Sequence, residues 1–176
     1  DNSHLSSSRV LSDQLGMLST NYNAILLSVA LKSVGAKSTV YSAFGNSKMI
    51  RDYEPKVAKV ALDDNHIVVL AGGTGNPYCT TDLASVLRAL ELECQVVFKA
   101  TNVDGVYDKD PNQYSDAKRF ATLSFTKALE LDLKVMDRSA FGMAMENDLP
   151  LLVFDFSKSN SLQNVYENHS IGTLVS

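Results

Sequence analysis

Ile67-Val68-Val69-Leu70-Ala71 runs directly into Gly72-Gly73-Thr74-Gly75-Asn76-Pro77-Tyr78-Cys79-Thr80-Thr81-Asp82. An unbroken apolar run led by β-branched residues predicts a strand with both faces covered, as in a parallel sheet. The glycines that follow free the backbone to approach a ligand closely and to take positive φ. Thr80, Thr81 and Asp82 then open a helix expected over 81–93, carrying Leu83, Val86, Leu87 and Leu90. The free N–H groups and dipole at such a helix start favour an anion. A tight turn with a Thr or Asp cap accounts for the glycines by themselves. The density of Gly, Asn and hydroxyl side chains at one strand end favours a binding loop. Neither common nucleotide motif is present. Gly35-Ala36-Lys37-Ser38 fails the Walker A pattern, and Tyr78 fills the third glycine position of G-x-G-x-x-G.

Outward from this stretch, helix and strand patterns alternate along the chain. Leu11, Leu15, Leu18, Tyr22, Ile25, Leu26 and Val29 recur at helical spacing, which predicts one apolar helical face, suited equally to core burial or to an interface, on a helix stopped by Gly35. Strands are expected over 39–44, 95–100 and 151–154, with a short edge strand over 171–175. Helices are expected over 55–63, with Pro55 in the first turn, after a Ser124 cap, over 137–147, and over 162–166 after Asn160. The alternation predicts an α/β sandwich with a mainly parallel sheet and right-handed crossovers, ligands lying beyond the carboxyl ends of the strands.

The 176 residues carry 16 Lys plus Arg against 20 Asp plus Glu, a formal charge of −4. That balance excludes a general basic field for nucleic acid. The two cysteines, Cys79 and Cys94, form no CxxC pair, and His4, His66 and His169 have no zinc spacing, so a reducing cytoplasm is expected. Asn168-His169-Ser170 fits the glycosylation triplet, a pattern common by chance. No apolar run reaches the roughly 20 residues of a membrane span, and the polar opening DNSHLSSS is no signal peptide.

A second strand end, Phe98-Lys99-Ala100-Thr101-Asn102-Val103-Asp104-Gly105-Val106-Tyr107-Asp108-Lys109-Asp110-Pro111, combines hydrogen-bonding groups, a flat tyrosine face and an acidic acceptor suited to a ribose hydroxyl. A solvated turn with a core tyrosine is the competing reading. Taken in isolation, Asp137 and Asp13 each read as helix N-caps ahead of any chemical role.

Together, Gly73-Thr74-Gly75-Asn76-Pro77 with Thr80-Thr81-Asp82, Lys99-Ala100-Thr101-Asn102-Val103-Asp104-Gly105-Val106-Tyr107, Asp110-Pro111 and Leu133-Lys134-Val135-Met136-Asp137 resemble the bacterial uridylate (UMP) kinases of the amino acid kinase fold family. Order and spacing fit without an insertion, and Asp13 with Gly16-Met17-Leu18 extends the resemblance to about Arg9. It implies a three-layer α/β/α sandwich, one domain over 1–176, and transfer of the γ-phosphoryl group of Mg-ATP to UMP. It implies a UMP site at Asp13, Thr74, Gly75, Asn76, Pro77, Tyr78, Cys79, Thr80 and Thr81. An ATP site is implied at Thr101, Asn102, Tyr107 and Asp110, and catalytic roles at Asp137 and Asp82. Mg2+ arrives with ATP. A cytoplasmic homohexamer, activated by GTP and inhibited by UTP, is also implied, the long helix near Leu11 lying at its dimer interface.

Two family features do not occur in these 176 residues: a Lys-containing glycine motif on the first strand, and a Gly-rich segment with an Arg after the second. The expectation is an N-terminally incomplete domain, inactive by itself. Tyr78-Cys79 stands where two aromatics are usual, and Arg138 where small or apolar residues are common. The competing readings are carbamate, acetylglutamate or aspartate kinase, an oxyanion-storage protein of the same fold, and a regulatory pseudo-kinase.

Overall fold

The computed structural model describes residues 8–45, 48–167 and 171–176. The Asn168-His169-Ser170 triplet, His4 and His169 lie outside them. The chain forms two compact units, Asp1–Ser85 and Val86–Ser176.

The first unit is built from α1 (Arg9–Ser33), β1 (Ser38–Ser42), β2 (Arg51–Asp52), α2 (Pro55–Asp63) and β3 (Ile67–Ala71), and it contains the start of α3 (Thr81–Glu91). Its strands are ordered β2-β1-β3 and pair in parallel, Ser38 with Ile67 through Ser42 with Ala71. Ala24 of α1 packs with Val40, Ile50, Val69 and Ala71. Small side chains let the helix approach the sheet closely. Ser28 Oγ and Ser38 Oγ hydrogen-bond at 2.7 Å in the buried seam, so neither hydroxyl is orphaned there.

The packing face of α1 bears on the two readings of its apolar stripe. Ala24 and Ser28 are the buried positions, at 5% and 4% exposure, whereas Leu15 and Tyr22 of the stripe are 59% and 67% exposed. Leu11, Leu18, Leu26 and Val29 are exposed too. The apolar period is real, but in this chain it faces away from the sheet. The N-cap reading of Asp13 is corrected: Ser8 caps α1 by accepting from Leu11 N, which places Asp13 inside the helix. β3 is covered less evenly than a fully buried strand, since Val69 and Ala71 are buried and Ile67 is exposed.

The second unit contains the rest of α3, β4 (Val97–Thr101), β5 (Thr122–Leu123), α4 (Phe125–Glu130), α5 (Arg138–Glu146), β6 (Leu151–Asp155), α6 (Ser161–Glu167) and β7 (Thr173–Val175). Its order is β4-β6-β7-β5, with β6–β7 antiparallel and the other two pairings parallel. β7 therefore lies between two strands, not at an edge as expected. Leu152, Phe154 and Val165 form the core cluster, and Phe125 stacks edge-on against Phe141 at 5.2 Å to join α4 to α5. Ser124 caps α4 by accepting from Lys127 N. No helix among the described residues is long and apolar enough to cross a membrane.

Candidate functional site

In the first unit, the loop after β3 is fixed by contacts that only glycine permits. Gly72 has φ +76°, and a Cβ there would lie 2.7 Å from Ser42 Oγ and 3.0 Å from Ala43 N. Its N–H donates to Thr20 Oγ1 at 2.7 Å, tying the loop to α1. Thr74 closes the turn by accepting from Asn76 N at 3.1 Å. Tyr78 takes φ +68°, and its N–H donates to Asp13 Oδ2 at 2.8 Å across 65 residues of sequence. Arg9 then pairs with the same carboxylate at 3.5 Å and lies 5.0 Å over the Tyr78 ring.

Thr80 caps α3, accepting from Leu83 N at 3.0 Å, so the first-turn amides of the helix open at the end of the glycine loop. Asp82 sits in that first turn, half-buried. Asn76, Tyr78, Cys79, Thr80 and Thr81 are exposed, and Thr74, Gly75 and Pro77 partly so. The fold thus gathers Asp13 and the 72–81 loop at one strand end. Arg9 and Thr20 escaped the sequence reading, because their contacts with the loop, at Tyr78 and Gly72, lie more than fifty residues away and leave no local spacing.

In the second unit, Thr101, Tyr107 and Asp110 line one cavity of about 620 Å³ together with Lys99 and Lys134. Thr101 Oγ1 donates to Val103 O and accepts from Val103 N, turning the chain out of β4. Tyr107 OH donates to Asp104 Oδ1 at 2.7 Å. That bond, with burial and the Asp104 charge, raises the phenol above its ordinary pKa against an opposing effect of Arg119. Asp110 Oδ1 accepts from Asn112 N and Nδ2, and Oδ2 from Gln113 Nε2, which shapes the 110–114 turn. Asn102 is exposed and is not among the residues lining the cavity.

Asp137 is the N-cap of α5, its Oδ1 accepting from Ser139 N and Ala140 N at 3.0 Å each. It lines a neighbouring cavity of about 580 Å³ that shares Lys134 and includes Arg138. Lys99 and Lys134 stood inside motifs quoted from the sequence, yet only the folded chain shows them facing the cavity of Tyr107 and Asp110.

Gly-rich and acidic loops follow the carboxyl ends of parallel strands, where ligands bind in α/β folds, and one of them runs into a helix start. The amino acid kinase family model matches residues 2–155, and the chain belongs to that family. Its relatives include a uridylate kinase of Cereibacter sphaeroides, 41% identical over 95% of this chain and 68% of the relative. Another, from Xanthomonas oryzae pv. oryzae, is 42% identical over 95% of this chain and 70% of the relative. The crystal structure of UMP kinase from Ureaplasma parvum superposes with a TM-score of 0.94 at 35% identity, covering 99% of this chain and 75% of that one. That of UMP kinase from Bacillus anthracis also gives 0.94, at 29% identity over 99% and 72%. The expected amino acid kinase fold, α/β with mainly parallel pairing, is the fold of this chain.

Proposed function

We propose that this protein transfers the γ-phosphoryl group of Mg-ATP to UMP, giving UDP and ADP. The observation that carries the reading is the 72–81 loop, pinned by Gly72 to α1 and by Tyr78 N–H to Asp13, with the α3 start at its end. Relatives bearing the uridylate kinase name span nearly the whole chain.

A UMP phosphate oxygen attacks the γ-phosphorus, the bond from that phosphorus to the β,γ-bridging oxygen breaks, and ADP leaves. Such transfer rests on positioning and on neutralising charge, so the protein needs no strong base. Thr80, Thr81 and the first α3 amides hold the acceptor phosphate, while Asp13 accepts from ribose hydroxyls. Thr74, Gly75, Asn76, Pro77, Tyr78 and Cys79 enclose the uracil. Thr101, Asn102, Tyr107 and Asp110 receive the adenosine of ATP. A carboxylate offers about four acceptor positions, and the turn occupies three on Asp110, so one serves the ribose. Mg2+ enters as part of the ATP substrate, bound to its phosphates. Asp82 and Asp137 are each assigned a catalytic role, Asp82 in the first turn of α3 and Asp137 at the start of α5.

The exposed apolar face of α1 supports self-association. We assign the chain to a cytoplasmic homohexamer responsive to GTP and UTP. Titration of UMP into the protein tests the acceptor site. Saturable binding weakened about tenfold or more in Asp13→Ala is expected, as for loss of a charged hydrogen-bonding group. Equal UMP affinity in parent and variant would overturn the assignment of Asp13.

A further inference from the structure

The loop 104–110, which carries Tyr107 and Asp110, belongs to no strand. Its one ladder contact is an isolated antiparallel bridge between Tyr107 and Arg119. Asp108 N donates to Lys118 O at 3.1 Å and Phe120 N to Val106 O at 2.9 Å on either side of it. Within the loop itself, Asp108 Oδ1 accepts from Lys118 N at 2.8 Å and Lys109 Nζ pairs with Asp116 at 2.7 Å; two side chains outside it add further bonds. Thr173 of β7, fully buried, accepts from Val106 N at 2.8 Å and donates to Phe120 O, so one hydroxyl satisfies both strands of the bridge. Arg119 Nη1 donates to Asp104 O at 3.1 Å and to Gly172 O at 2.6 Å, joining the loop to the residue that leads into β7.

The fit leaves no room for a side chain between them. A Cβ on Gly105 would lie 2.5 Å from Thr173 Oγ1 and 2.8 Å from Arg119 Cδ. Asp104, whose carbonyl Arg119 holds, accepts from Tyr107 OH through its carboxylate. The orientation of the tyrosine ring therefore depends on groups 12 residues and more than 60 residues away along the chain.

We propose that Arg119 and Thr173 are positioning residues that hold the donor-nucleotide loop in its binding shape before ATP arrives. The proposal rests on the assignment of this loop to ATP. Neither side chain needs to touch the nucleotide; each removes conformations that the empty loop would otherwise sample, and binding is tighter when that ordering is already present.

The test compares Arg119→Met with Arg119→Lys, and Thr173→Val with Thr173→Ser, in the protein expressed from its full reading frame. Arg119→Met keeps the aliphatic cover over Gly105 and removes the guanidinium at an exposed position, so the fold is retained even where Thr173→Val fails to fold. The expected result is a KM for ATP raised about tenfold in Arg119→Met, the size of a lost charged hydrogen-bonding group, with kcat and the KM for UMP within about twofold. Arg119→Lys and Thr173→Ser should recover part of the loss. Amide exchange of residues 104–107, measured without nucleotide, should speed up in Arg119→Met and in Thr173→Val. A parent protein that binds no ATP refutes the kinase assignment and leaves amide exchange to decide the clamp. Unchanged exchange and an unchanged KM for ATP in Arg119→Met refute the clamp itself. A general loss in which both KM values and the melting temperature move together would refute it equally.

Discussion

Gly72→Ala tests whether the acceptor loop is built on a close approach that only glycine allows. Gly72 has φ +76°, and an added Cβ would meet Ser42 Oγ at 2.7 Å and Ala43 N at 3.0 Å. A left-handed conformation costs an L-residue about 1–2 kcal/mol, and overpacking against backbone adds about 1–3 kcal/mol. Gly35 supplies the control, since it has φ +83° but nothing within 4 Å of its Cβ position. Gly35→Ala should therefore carry the conformational cost alone, about 1 kcal/mol once the stiffer unfolded chain is allowed for. The corresponding figure for Gly72→Ala is about 3 kcal/mol. At about 2–4 °C per kcal/mol for a chain of this size, the two variants should melt about 3 °C and about 9 °C below the parent. Thermal melts followed by circular dichroism read the difference. Gly72→Ala should also weaken UMP binding, because the Gly72 N–H loses its aim at Thr20 Oγ1, whereas Gly35→Ala should not. Equal melting temperatures for the two variants would refute the close-approach argument.

Three further outcomes follow from the same geometry. Tyr107→Phe removes the 2.7 Å bond to Asp104. It should raise the KM for ATP about tenfold or more, in line with about 1.5–3 kcal/mol for a hydrogen bond to a charged acceptor; steady-state kinetics with each substrate varied in turn would show it. Leu15→Glu places a charge on the exposed apolar face of α1 and should shift sedimentation velocity toward smaller species, with little change in the melting of the isolated fold. Asp155 has its folded-state pKa lowered by hydrogen bonds from Ser157 Oγ and N and then by the Lys158 charge. Its contribution is therefore present above the unfolded pKa and is lost as pH falls through the lower folded value. The melting-temperature gap between parent and Asp155→Asn should shrink on acidification below about pH 4, and a constant gap would show that Asp155 is not the titrating group.

Local chemistry made parts of the fold legible. α2 and β3 occupy the residues expected of them, 55–63 and 67–71, because Pro55 marks a helix start and the apolar run at 67–71 is bounded on both sides. β2 and β5 were not visible, since two residues carry no period and exist as strands only through pairing with β1 and β7. α3 stops at Glu91 instead of 93, where Glu93 takes φ +56°. The apolar face of α1 could not be assigned a partner from the sequence for a physical reason. Apolar periodicity marks a surface that avoids water, and it does not say whether the sheet or another partner covers it. The seam against β1 and β3 is made instead by Ala24 and Ser28, which pattern reading discounts.

The candidate site was legible wherever residue type and position coincide within one loop, as for Gly72 to Thr81 and for Thr101 to Asp110. Thr80 and Ser124 were readable as caps because capping is local. Arg9, Thr20, Arg119 and Thr173 were not, because each acts on a group distant in sequence, the Tyr78 ring for Arg9 and backbone groups for the other three. Asp137 shows the limit from the other side. Its capping role is visible in both sequence and structure, and that role neither requires nor opposes a part in phosphoryl transfer.

ADP release from Mg-ATP, measured on the protein from its full reading frame with UMP, CMP, carbamate, acetylglutamate and aspartate offered separately, tests the central claim most directly. The account predicts turnover with UMP and little with the others. Turnover with one of the amino-acid or carbamate acceptors, or none with any acceptor despite tight nucleotide binding, would contradict it.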